Sequence, residues 1–197
     1  MISIIVDILH SYLSSVNIVL VSTACLYIFT QTFNSKEQQL HPAVLAKVVK
    51  INMKAMDNYS KNQPVMKNIL LTLCSDRILQ EIMFDRMRCM QLVMDSLITF
   101  QDITLNRLAL AVCSILAAKI PTQQTTIIGQ QKLYMKRMLE FIDQQRFNNN
   151  DRDNRDILFK LALSALWNFT DESPKTCEAF IENQGLKMYI EALKVCF

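Results

Sequence analysis

Apolar residues recur at mixed three- and four-residue spacing in "DRMRCMQLVMDSLI" and "QQKLYMKRMLEFI", the pattern of amphipathic helices. Four other runs are apolar nearly all round: "LVSTACLYIFT" (Leu20 to Thr30), "KNILLTLCSD" (Lys67 to Asp76), "RLALAVCSILAA" (Arg107 to Ala118) and "KLALSALWNFTD" (Lys160 to Asp171). Such runs suit helices packed on both sides. The pattern predicts helices near Val44–Tyr59, Val65–Ser75, Met87–Ile98, Leu105–Ala118, Lys132–Gln144 and Ile157–Thr170.

The four apolar runs resemble one another. Arg107 aligns with Lys160, Leu108-Ala109-Leu110 with Leu161-Ala162-Leu163, and Ala117 with Thr170. Thr30 and Ser75 fall in that last column, so the column recurs after 45, 42 and 53 residues. The first two intervals match the ~40–47-residue period of armadillo and HEAT repeats. The third contains "NNNDRDNRD", Asn148 to Asp156, a polar stretch suited to a loop. The expectation is an all-α fold, an armadillo-like right-handed α-solenoid of about four repeats with the first and last incomplete. As one domain its units would be 1–33, 40–76, 77–118, 119–171 and a partial 172–197. A generic helical bundle is the alternative that periodicity alone permits.

The last unit reads most clearly. The helix ending near Thr170 is followed by "DESP", in which Ser173 can cap a new helix with Pro174 at its first position. Asn183-Gln184-Gly185 then stops that helix, Gly185 being the expected left-handed residue. "LKMYIEALKVCF" begins another.

Composition agrees with helices. There are only two glycines and four prolines in 197 residues, fewer than sheets with tight turns need. The run Ile18 to Phe29 is shorter than the ~20 apolar residues of a membrane span, so a core helix is expected there. A net charge of +3 points away from a polyanion partner, and neither nucleic acid nor membrane is expected. No two of the six cysteines stand at C-x-x-C spacing, and most lie in apolar helical patterns, where a reduced thiol behaves as a small hydrophobe. With no secretory signal, a cytoplasmic or nuclear location is expected, and the sequons at Asn58 and Asn168 are expected to be chance matches. Two histidines and no glycine-rich phosphate loop leave no catalytic constellation, metal site or cofactor to propose.

The candidate site is at the end of the fourth run. Residues three or four apart share a helix face. Ser164, Trp167, Asn168 and Asp171 therefore form one polar-edged stripe, while Leu158, Leu161, Ala162, Ala165 and Phe169 form the core stripe. A carboxylate beside an indole can pair with an ammonium. An asparagine amide can bond a peptide backbone, and a flat ring can close the space beside a first residue's α-carbon. The competing reading has Trp167 filling a gap between repeats, Asn168 stabilising a helix end and Asp171 capping the next helix. In the other three runs the Trp and Asn columns hold Tyr27, Thr72, Ser114 and Ile28, Leu73, Ile115, so the pair occurs in one repeat only.

"LALSALWNFTDESPKTCEAFIENQGL", "NQPVMKNILLTLCSDRILQE" and "LALAVCSILAAKI" resemble, in the same order, the C-terminal armadillo-like region of the ZYG eleven/ZER family. The resemblance is specific from about Leu40 onward. It implies a non-catalytic substrate receptor of a cullin-two, elongin-containing RING ubiquitin ligase. It also implies that a protein beginning with glycine is gripped in a concave groove, with the family's Trp, Asn and Asp falling on Trp167, Asn168 and Asp171. The family's cullin–elongin box and leucine-rich repeats are not evident, and Phe197 falls before the next third helix, where further pocket residues belong. The expectation is a fragment that reaches the ligase only through absent regions. The alternative is a general armadillo or HEAT scaffold for peptides without a ligase role.

Overall fold

A computed structural model describes residues 1–32, 40–144 and 152–196. Among these, all regular structure is helical. The helices are α1 (Ile2–Ser11), α2 (Val16–Thr32), α3 (Pro42–Asn58), α4 (Gln63–Leu73), α5 (Asp76–Glu81), α6 (Arg86–Thr99), α7 (Ile103–Ala117), α8 (Thr122–Gly129), α9 (Lys132–Asp143), α10 (Arg152–Thr170), α11 (Pro174–Glu182) and α12 (Gly185–Cys196). Polar side chains start several of them by taking up backbone N–H groups that the first turn leaves without partners. Asn62 accepts from Val65 N at 3.1 Å and Asp102 from Leu105 N at 2.8 Å. His41 Nδ1 accepts from Ala43 N at 3.2 Å, with Pro42 at the first helical position.

The helices form two compact units, Met1–Asp85 and Arg86 onward. In the first, α2 packs on α4, α1 on α3, and α5 on α3. Leu26, Val48, Met56, Leu70 and Leu73 lie fully buried there. Asn68 on α4 donates Nδ2 to the Leu20 carbonyl and to Thr23 Oγ1 on α2, both at 3.3 Å. The run predicted to be packed on both sides is one-sided in α2: Val19 and Leu26 are buried, but Val21 is 62% and Ile28 57% exposed. Among the described residues no helix is long and apolar enough to cross a membrane.

The second unit is layered. α7 packs on α10, α6 on α9 and α9 on α12, and α8 on α11, so helices of like position in successive repeats lie against one another. This is how an α-solenoid buries a continuous core. Phe141 and Phe169 are among its largest fully enclosed side chains. Cys89 and Cys113 are buried as small apolar residues, and burial pushes the Cys113 thiol up. A buried arginine fastens α9 to the end of α6. Arg137 donates Nε to the Leu97 carbonyl at 2.7 Å and Nη2 to the Phe100 carbonyl at 3.3 Å and Gln101 Oε1 at 3.1 Å. It also pairs with Glu140 at 2.9 Å and lies 4.4 Å over the Phe141 ring.

Two local expectations are corrected. The stretch Asn148 to Asp156 was expected to be a loop, but α10 begins at Arg152; residues 148–151 lie outside the described residues. Polar composition suits a first helical turn as well as it suits a loop. The left-handed residue before α12 is Gln184 (φ 62), not Gly185, and no glycine has positive φ. Gly185 answers a different demand: a Cβ there would stand 2.5 Å from the Phe180 ring. It is required for close approach between α11 and α12, not for backbone freedom.

Candidate peptide-binding site

α10 carries the stripe identified in the sequence, and its two faces differ as burial requires. Leu158, Ala162, Ala165 and Phe169 are buried, with Leu166 beside them. Ser164, Trp167 and Asp171 are exposed and Asn168 is half-buried. Trp167 is 76% exposed, so it does not fill a gap between repeats. Asp171 does not cap the following helix either; that role is Ser173's, whose Oγ accepts from Thr176 N at 3.4 Å with Pro174 at the first position. Ser173 Oγ also lies 2.7 Å from Thr126 Oγ1 on α8 and 2.8 Å from Thr176 Oγ1, so the start of α11 is tied to α8.

The end of α10 is closed by its own side chains. Thr170 Oγ1 donates to the carbonyls of Leu166 and Trp167 at 2.9 and 3.1 Å, and Cys177 Sγ to the carbonyl of Thr170 at 3.4 Å. Asp171 N still donates to the Trp167 carbonyl at 3.0 Å, after which Glu172 turns the chain with φ 50. An exposed carboxylate thus stands just past α10, four residues after Trp167 and without a side-chain partner among the described residues.

Asn168 reaches toward α7. Its Nδ2 donates to the Ser164 carbonyl at 2.9 Å and to the Ser114 carbonyl on α7 at 3.4 Å. Both partners are acceptors, so the amide nitrogen is committed and Oδ1 is left as an acceptor. The amide nitrogen thus ties the stripe to α7 while Oδ1 stays available on it. Asn168 leans on α7, whereas Ser164 and Trp167 border an open apolar groove of ≈ 680 Å³ between α10, α11 and α12. Leu163, Leu166, Phe180, Leu186 and Tyr189 are among the residues of its wall. No local pattern announces this groove, because its residues come from three helices whose packing decides it. Asn68 on α4 was missed as well: it lies outside the aligned Asn column, yet like Asn168 it bonds a carbonyl of a neighbouring helix.

Nothing in the site has the chemistry of a metal centre, and among the described residues no group of His, Cys, Asp or Glu could hold an ion. The arrangement offers an aromatic wall, a carboxylate and a backbone-type acceptor, a set suited to a cationic or N–H-rich ligand.

The family model described as "Protein zer-1 homolog-like, C-terminal domain" matches residues 9–196. Protein zer-1 homolog of Homo sapiens is 28% identical over 179 residues, covering 90% of this chain, and the Mus musculus protein of the same name matches equally. Zyg eleven-related protein 1 of Caenorhabditis elegans is 26% identical over 144 residues, covering 73% of this chain. The chain spans 22% of the length of the human and mouse relatives and 16% of the nematode one. No solved structure matches it.

Proposed function

The chain belongs to the zer-1 homolog-like family, and on that premise we propose that it is a substrate-recognition module of a cullin-RING ubiquitin ligase receptor, binding proteins by an exposed N-terminal glycine. The observation that carries the reading is the exposure of Trp167. A large apolar ring left 76% in solvent, one helical turn before an exposed carboxylate, is poorly explained by packing and well explained by a ligand.

Each group then has a task. Asp171 pairs with the ammonium of the first residue. Asn168, its nitrogen held by Ser114 and Ser164, accepts from that ammonium or from the next peptide N–H through Oδ1. Trp167 lies along the α-carbon, where any side chain larger than hydrogen would displace the ring. Ser164 edges the same face. Recruitment of the cullin–elongin complex is assigned to regions of the relatives outside the matched span. The asparagine ladder of a general peptide scaffold is not favoured, because the column of Asn168 holds Ile28, Leu73 and Ile115 in the other repeats.

Trp167 is the only tryptophan in the chain, so its emission reports the site directly. Titration with a Gly-initiated peptide should shift or quench that emission, and the acetylated or Ala-initiated peptide should do so far less. Equal responses to free-amine and acetylated peptides would remove the ammonium from the reading.

A further inference from the structure

A second surface lies on the first unit. α3 turns Lys47, Lys50 and Lys54 outward at spacings of three and four residues, so they line one face. None of the three forms an ion pair among the described residues. They border a cleft of ≈ 480 Å³ floored by Ala46 and Met53 on α3 and by Met83 and Phe84 in the segment after α5. Met83 is 79% exposed, a flexible apolar side chain held in solvent at the cleft's edge. Asp57 and Asp85 also line it.

We propose that this cleft docks an acidic amphipathic helix of a partner protein. A run of lysines alone is a solvated face. Here it flanks an apolar trough, and the combination selects a ligand with carboxylates beside an apolar ridge. Neighbouring lysines on α3 are separated by about one helical turn, the interval between acidic residues placed three or four apart on a ligand helix. One Leu-, Ile- or Phe-sized anchor would enter the trough against Met53 and Phe84, with Met83 folding over it as an adaptable wall. A nucleic acid backbone has no use for the apolar floor. A membrane surface meets a broad apolar helix face, not a concave trough.

Phage-displayed random peptides of about 16 residues, roughly four helical turns, selected on the full chain provide the test. Parallel selection on the Lys50→Glu/Lys54→Glu variant is the control, with circular dichroism to establish that the variant is folded. Peptides from the wild type should carry Asp or Glu three and four apart around one large apolar residue. They should bind the variant about tenfold more weakly and Met83→Ala several-fold more weakly. Binding should fall as salt rises from about 0.05 to 0.5 M, and Asp171→Asn should leave it unchanged, which separates this surface from the Trp167 site. The proposal is overturned if acidic peptides are not enriched over the variant. It is also overturned if the selected peptides bind both proteins equally, or if anionic vesicles or single-stranded RNA show the lysine dependence and no peptide does.

Discussion

The side-chain amide of Asn168 joins α10 to α7, with Nδ2 3.4 Å from the Ser114 carbonyl oxygen and 2.9 Å from that of Ser164. Asn168→Ala forfeits both bonds and should lower stability by about 1–2 kcal/mol in equilibrium urea unfolding. Asn168→Asp should cost more than alanine at neutral pH, because it sets a carboxylate against two carbonyl oxygens. A less damaging aspartate would mean that the amide is turned the other way and that Oδ1 is not the acceptor available to a ligand.

Asp171 is exposed and makes no side-chain bond among the described residues, so Asp171→Asn should leave the melting temperature within a degree or two of the wild type, the usual result for such surface changes. Its effect should appear in binding. A charge-assisted hydrogen bond becomes a neutral one, and the affinity for a free-amine Gly peptide should fall by roughly 1.5–3 kcal/mol. Calorimetry on the two proteins measures this. An unchanged affinity would assign the ammonium to another acceptor.

Arg137 is 6% exposed and holds two carbonyls at the end of α6. Arg137→Ala removes the cation and leaves those acceptors buried, a loss of about 3 kcal/mol. Arg137→Lys should recover only part of it, because a single ammonium cannot reproduce the fork that reaches Leu97, Phe100 and Gln101 together. Thermal unfolding of the three proteins orders them. A lysine variant as stable as the wild type would show that charge matters here and geometry does not.

Gly129 sits against Thr176, where α8 meets α11. An added Cβ would overlap Thr176 Cγ2 and come within 2.7 Å of Oγ1 and 3.1 Å of Cβ. Thr176 is fully buried, and its Cβ cannot swing aside. Gly129→Ala should therefore destabilise by about 1–3 kcal/mol despite alanine's better helix propensity. Thr176→Ser, which deletes Cγ2, should reduce that loss in the double variant, giving a measurable coupling between the two positions. Strict additivity in urea unfolding would show that the steric clash is relieved elsewhere.

The helical part of the fold was largely legible because it depends on local signals. The spacing of apolar residues marked α3, α4, α6, α7, α9 and most of α10, and Ser173-Pro174 marked the start of α11. The short helices α5 and α8 were not foreseen, since one or two turns give too little periodicity to read. The misassigned residues show the same limit. Arg152 to Asp156 are polar whether coil or helix, and the need for Gly185 comes from the Phe180 ring, not from the turn beside it. Of the candidate site, the grouping of Trp167, Asn168 and Asp171 on one face followed from helical spacing. That Trp167 stands in solvent and Asn168 reaches α7 depends on neighbouring helices, which no local pattern encodes.

The hydroxyl cluster of Ser173, Thr126 and Thr176 reaches beyond the capping of one helix. Phe180 and Ile181 in the groove wall are carried by α11, and the start of α11 is pinned to Thr126 on α8. The breadth of the groove is therefore set in part by a side chain that does not line it. Divergence at position 126 could widen or narrow the opening while Trp167 and Asp171 stay as they are, so receptors with the same contact residues could come to prefer different target sequences.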